Sequence, residues 1–190
     1  MDDLREFIEH RVREGFESAH EIIENAQQWV HEKHGRDDLL LEIKQITGES
    51  LAAHQAEQAG WGPTTDCDRL DAAFAALNLQ GIVARQDFSC CNNCGFTEIW
   101  DEVAEEEKLH LVEGYAFYHL QCTEQVIKTG RLLIAYGCVE ENPEAFTSVA
   151  NKIVAALRKE NLNASWGGTD RHPIVVESLV WRRRRKVIEE

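Results

Sequence analysis

No run of apolar residues in this chain is long enough to span a bilayer, so a membrane-crossing helix is excluded. The opening Met1-Asp2-Asp3-Leu4-Arg5-Glu6 has neither the basic start nor the apolar stretch of a secretory signal, and a cytoplasmic location is expected. Positive charge is scarce. Lys and Arg number 20 against 34 Asp and Glu, giving a formal net charge of -14. Such a surface repels polyanions, which disfavours general nucleic-acid binding and favours a basic protein partner. A Gly-rich phosphate loop, a G-x-S-x-G elbow and an H-E-x-x-H pair are all missing, so the commonest nucleotide, hydrolase and metalloprotease signatures are absent. Internal repeats and low-complexity linkers are absent too. What remains is 190 residues with 43% apolar content, enough for a real core.

Apolar spacing predicts an α+β protein: a helical N-terminal section packed on a mixed sheet of four to five strands with flanking helices. Residues 1–62 form the helical section and 63–190 the α+β domain, with one continuous domain as the alternative. Leu4, Phe7, Ile8 and Val12 share a helical face, and after Gly15 the pattern resumes through Phe16, Ala19, Ile22, Ile23, Ala26, Trp29 and Val30. His34-Gly35 reads as a helix stop with a left-handed glycine. Asp37 or Asp38 is placed to cap a third helix, with a break expected near Gly48. Gly60-Trp61-Gly62-Pro63 is the clearest boundary. Beyond it, Thr65 or Asp66 caps a helix carrying Leu70, Ala73, Phe74 and Leu77 inward. Strands are expected at 82–88, 114–120, 132–138, 162–166 and 174–181, and helices at 97–108, 123–129 and 144–160. Trp166-Gly167-Gly168-Thr169-Asp170 reads as the turn between the last two strands.

Three of the six cysteines fall within Phe88-Ser89-Cys90-Cys91-Asn92-Asn93-Cys94-Gly95. Three chemistries fit. The C-x-x-C of Cys91 and Cys94 supplies two ligands of a zinc knuckle, and structural zinc needs four. A second pair at the same spacing, His119 and Cys122, would complete a Cys3His tetrahedron, with Cys90 as an alternative ligand. In a continuing strand, residues three apart point to opposite faces, so His119 and Cys122 converge only if the strand ends near Leu120. A helix start beside a C-x-x-C would instead lower a thiol pKa, as redox cysteines require. Gly95 and the acids Asp87 and Glu98 count against that reading. The third chemistry is none: small thiols pack well, and Asn92-Asn93 favours a turn. In each case the cysteine turn should lie beside the end of the His119 strand, whose face ending in His119 and Gln121 could line a pocket.

Cys67 and Cys138 are expected as core thiols. His10, His20, His31, His34 and His54 lie on acidic helices and are expected to be solvated. The run Arg182-Arg183-Arg184-Arg185-Lys186 stands apart, since without its five cations the remainder carries -19. It reads as a solvated strand end or an internal partner of the acidic helices, with a phosphate or nucleic-acid contact as the alternative.

The segment from about Thr65 to Arg185 resembles an uncharacterised bacterial family, a domain of unknown function. Asp66-Cys67-Asp68-Arg69-Leu70, Phe88-x-Cys90-Cys91-x-x-Cys94-Gly95, Gly114-Tyr115-x-Phe117-Tyr118-His119, Trp166-x-Gly168 and Trp181-x-x-Arg184 carry the resemblance. It implies an intracellular bacterial protein with no assigned reaction, and it implies that aspartate is common at the position of Cys122. The expected function is a non-enzymatic binding or structural module, zinc-stabilised in one version, with an acidic surface for a basic partner in the manner of an immunity or antitoxin protein. The alternative is a thiol- or metal-dependent enzyme using Cys90, Cys91 or Cys94 with His119.

Overall fold

The computed structural model describes residues 2–140, 142–169 and 172–185. Asp170 of the expected turn and Lys186 of the basic run lie outside the described residues. The chain divides into two compact units: residues up to Thr64 together with the chain from Arg182 on, and Thr65–Trp181. Among the described residues, no helix is long and apolar enough to cross a membrane.

The first unit holds three helices, α1 (Asp2–Glu14), α2 (Ala19–His34) and α3 (Leu40–Ala59). Leu4, Ile8 and Val12 of α1 meet Ile22, Ala26 and Val30 of α2 and Ile43 and Ile46 of α3 in one buried cluster. Ser18 and Glu21 close a reciprocal capping box on α2, and Gly35 ends that helix in the left-handed region at φ 62°. Asp37 and Asp38 do not cap α3, correcting the sequence expectation. Leu39 is the N-cap residue, because Asp37 pairs with His31 at 2.9 Å and Asp38 with Arg36 at 2.8 Å. Nor does α3 break at Gly48; a glycine in one position costs about 1 kcal/mol, too little to end a 20-residue helix. His54 is buried rather than solvated, edge-on to Trp61 at 5.3 Å between centroids.

The basic run belongs to this unit. Arg183 is buried with its guanidinium 4.2 Å from the Phe16 ring centroid, a cation–π contact. Arg185 donates to the carbonyls of Val12 and Glu17, and its backbone exchanges two hydrogen bonds with the Gln58 amide. Arg184 donates to the Gly62 carbonyl. Three of the cations therefore serve backbone carbonyls and a ring inside the helical unit.

The second unit is α+β. It runs α4 (Asp66–Asn78), β1 (Ile82–Arg85), α5 (Asn92–Glu106), β2 (Gly114–Phe117), α6 (Leu120–Thr129), β3 (Leu132–Cys138), α7 (Pro143–Lys159), β4 (Asn163–Ser165) and β5 (Ile174–Glu177). The sheet order is β1-β2-β3-β5-β4. β1 and β2 are parallel, joined by the α5 crossover, and every other pairing is antiparallel. Side-chain alternation sorts the helices onto two faces. Val83, Tyr115 and Phe117 pack with Ile99 and Val103 of α5. On the opposite face Tyr118 meets Phe74 of α4 and Tyr136 meets Phe146 of α7. β2 stops at Phe117, short of the expected 120, because His119 turns out of the strand to cap α6.

Candidate functional site: two helix starts beside one strand end

The cysteine turn is delivered by strained backbone. Asp87 and Ser89 have φ of 50° and 66°, a left-handed region that costs residues with a Cβ about 1 kcal/mol or more. Compensating bonds hold it: the Phe88 N–H donates to the Tyr118 carbonyl at 2.8 Å, the Leu120 N–H to the Ser89 carbonyl at 3.2 Å, and the Thr123 hydroxyl to the Asp87 carboxylate at 2.6 Å. The turn therefore lies beside the end of the His119 strand.

Helix α5 begins earlier than its sequence suggests, at Asn92, so Cys91 is the N-cap residue and Cys94 stands three positions on. Gly95 fits this first turn for a packing reason. A Cβ there would lie 2.4 Å from Cε2 of the buried Phe117 ring. Helix α6 repeats the construction: His119 is the N-cap residue and Cys122 stands three positions on. In an ordinary capping box the side chain at each of those two positions accepts from the backbone N–H of the other, as in α2 and α4. In α5 and α6 the positions hold sulfur and imidazole instead.

The ligand atoms of Cys90, Cys91 and Cys94 all lie within 4.8 Å of one another, and these three could hold a metal ion. Cys90 is exposed and the other two half-buried. His119 and Cys122 form a separate pair, Nε2 to Sγ 3.3 Å, outside that group. The structure thus brings each x-x pair together and joins Cys90 to the first. The Cys94 backbone N–H, then the thiols of Cys90 and Cys94, hold the Cys91 thiol below its ordinary range. Hydrogen bonding and charge from Cys90 and Cys91 push Cys94 up to about 11. Burial lowers His119 and raises Cys122, so that pair rests as neutral imidazole and neutral thiol.

A cavity of about 450 Å³ opens between the two helix starts, lined by Asn92, Phe96, His119, Gln121 and Cys122 among others. The His119 Nδ1 is buried without a hydrogen-bond partner among the described residues. A second cavity of about 600 Å³, which sequence reasoning did not find, is walled by Trp100, Tyr115, Tyr136, Phe146 and Trp166. Its residues come from four separate elements and a loop, so no local motif announces it. Cys138, expected in the core, borders this cavity and donates to the Glu140 carbonyl, whereas Cys67 is buried as expected.

An α+β unit whose sheet edge carries three converging thiols at a helix start is the class of protein these residues define. The chain belongs to the family DUF6891, a domain of unknown function, which matches residues 1–185. The match extends through the helical section, beyond the segment on which the resemblance rests. No curated protein and no solved structure matches the chain.

Proposed function

We propose that this protein is a binding module that holds a thiophilic divalent cation, zinc foremost, on Cys90, Cys91 and Cys94 and presents an acidic surface to a basic protein partner. The observation that carries the metal reading is the mutual approach of three sulfurs at one helix start. Zinc–sulfur bonds of about 2.3 Å in a tetrahedron put sulfurs about 3.8 Å apart, a spacing that small rotamer changes reach from the geometry present. The lowered Cys91 thiol favours this, because thiolates bind the ion. Three protein ligands leave a fourth position for water or an incoming donor. Six free cysteines suit a reducing compartment, the cytoplasm in this reading. The net charge of -14 supports the basic partner.

Elemental analysis of protein purified without an affinity tag tests the metal reading. About one zinc per chain is expected. Cys91→Ser should weaken zinc or cobalt binding at least about tenfold and bleach the sulfur-to-cobalt charge-transfer band. Protein that stays metal-free after anaerobic zinc loading would sink the proposal.

Thiol exchange is the second reading, favoured by the opposite displacement of Cys91 and Cys94. In metal-free protein, alkylation mapped by mass spectrometry across roughly pH 6–10 should show Cys91 reacting at lower pH than an ordinary thiol near 8.5. Cys94 should react only well above that. The sign follows from the thiolate being the nucleophile. Six superimposable pH profiles would contradict the assignment.

A further inference from the structure

The aromatic cavity of the second unit is separate in its lining from the three thiols and stands whether or not they bind metal. β3 continues to Cys138, while its partner β5 pairs only as far as Ile134. Where the strand loses that partner the sheet opens, and Tyr136 faces the 166–169 loop across the gap. Trp166 is edge-on to Tyr136 at 6.3 Å and 87°, Phe146 lies 4.8 Å from Tyr136 at 45°, and Trp100 stands at 73° to Tyr115 at 5.4 Å. These are walls, and Trp100 at 44% exposure forms the rim. Its volume of about 600 Å³ matches an organic ligand rather than a solvent site.

The lining also restricts the occupant. None of its side chains is charged. Its polar members are committed locally: Asn142 accepts from the Ala145 N–H, Thr147 donates to the Pro143 carbonyl, and Thr169 bonds His172. A sugar, which needs many hydrogen bonds, would find few. An anion would meet no cation among the described lining residues and a protein of strong negative charge. Two polar groups are left over among the described residues, the Trp100 indole N–H at the rim and the Tyr115 hydroxyl further in. Tyr115 is only 7% exposed and borders the cavity, and among the described residues none hydrogen-bonds its hydroxyl. Gly137 makes the space for it, since a Cβ there would lie 2.4 Å from that oxygen. The hydroxyl oxygen is open to the cavity, so a ligand atom there can hydrogen-bond it, a bond of about 0.5–1.5 kcal/mol.

We propose that this cavity binds a planar aromatic molecule without negative charge, which presents one hydrogen-bonding group to the Tyr115 hydroxyl between walls formed by Trp100, Tyr136 and Trp166. Burial raises the Tyr115 pKa, so the phenol keeps its proton and can donate as well as accept.

Isothermal titration of the full chain with 2-naphthol, 2-methylnaphthalene, 2-naphthoate and glucose tests this. Saturable 2-naphthol binding is expected, with 2-naphthoate at least about tenfold weaker and glucose silent. Tyr115→Phe, which keeps the ring, should weaken 2-naphthol about fivefold to tenfold and leave 2-methylnaphthalene unchanged. Trp100→Ala, at an exposed helix position, should weaken both by about tenfold. Thermal unfolding of each variant checks that the fold is intact. Absent saturation with 2-naphthol, equal affinity for 2-naphthoate, or indifference to both substitutions would overturn the proposal.

Discussion

Gly95→Ala lowers the stability of the α+β unit by about 2 kcal/mol, although alanine is the better helix former by about 1 kcal/mol. The sign is decided by what stands next to the glycine. A Cβ would lie 2.4 Å from one carbon of the Phe117 ring and 2.8 Å from the next. Phe117 is fully buried and has little room to give way. Its ring is edge-on to Phe96 at 5.2 Å and to Phe88 at 5.9 Å, and it stacks on Tyr115 at 6.4 Å. Overpacking of this kind costs about 1–3 kcal/mol and sometimes more. The first turn of α5 has to lift instead, and Cys94 lifts with it, so the proposed metal site should weaken in the same variant. Gly48→Ala is the matched control. It lies mid-helix on an exposed face with nothing within 4 Å of a new Cβ, and it should gain about 0.5–1 kcal/mol. Urea midpoints of metal-free protein read both; a Gly95→Ala midpoint at or above that of the parent would refute the packing account.

Arg185→Ala costs the helical unit about 2–4 kcal/mol. The guanidinium reaches the Val12 carbonyl in the last turn of α1 and the Glu17 carbonyl just past its end. Helix ends leave such carbonyls without an internal partner, and a cation there also complements the helix dipole. Removal withdraws two charge-assisted donors at once from a half-buried place. Arg185→Lys should restore only part of the loss, because one ammonium does not present the planar fork that spans two acceptors. Arg182→Ala, on an exposed neighbour, should stay within about 0.5 kcal/mol of the parent. Thermal unfolding of the three variants decides it. Equal effects at Arg182 and Arg185 would reduce the contacts to surface charge.

Much of this architecture is legible in the residues, and the places where it is not share a cause. β3 is bounded as the alternation of Leu132–Cys138 says, and α7 begins where Asn142-Pro143 puts it. Local pattern decides those elements. Helix α5 was harder, because Asn92-Asn93 and Gly95 argue for a turn on propensity; tertiary packing against Phe117 reverses that argument and brings Cys91 to the cap. The same override ends β2 early at His119, which removes the strand-geometry obstacle to a His119–Cys122 contact. The grouping of Cys90 with Cys91 and Cys94 comes with a left-handed φ at Asp87 and Ser89, a conformation that aspartate tolerates but serine does not announce. The aromatic cavity was not readable at all, since its walls are spread over the chain from Trp100 to Thr169 and meet only through the tertiary fold.

The division of the helical unit between the two ends of the chain has a consequence in time. On the ribosome, the three helices precede Thr65–Trp181, the whole of which must follow before Arg183 and Arg185 are made. At roughly 5–20 residues per second that interval is on the order of ten seconds. Throughout it, the Phe16 ring and the carbonyls of Val12 and Glu17 lack their cations. The helical segment is therefore made before the α+β unit and completed after it. A nascent chain stalled before Arg182 would carry every residue of the α+β unit above an unfinished helical one, a natural substrate for chaperones.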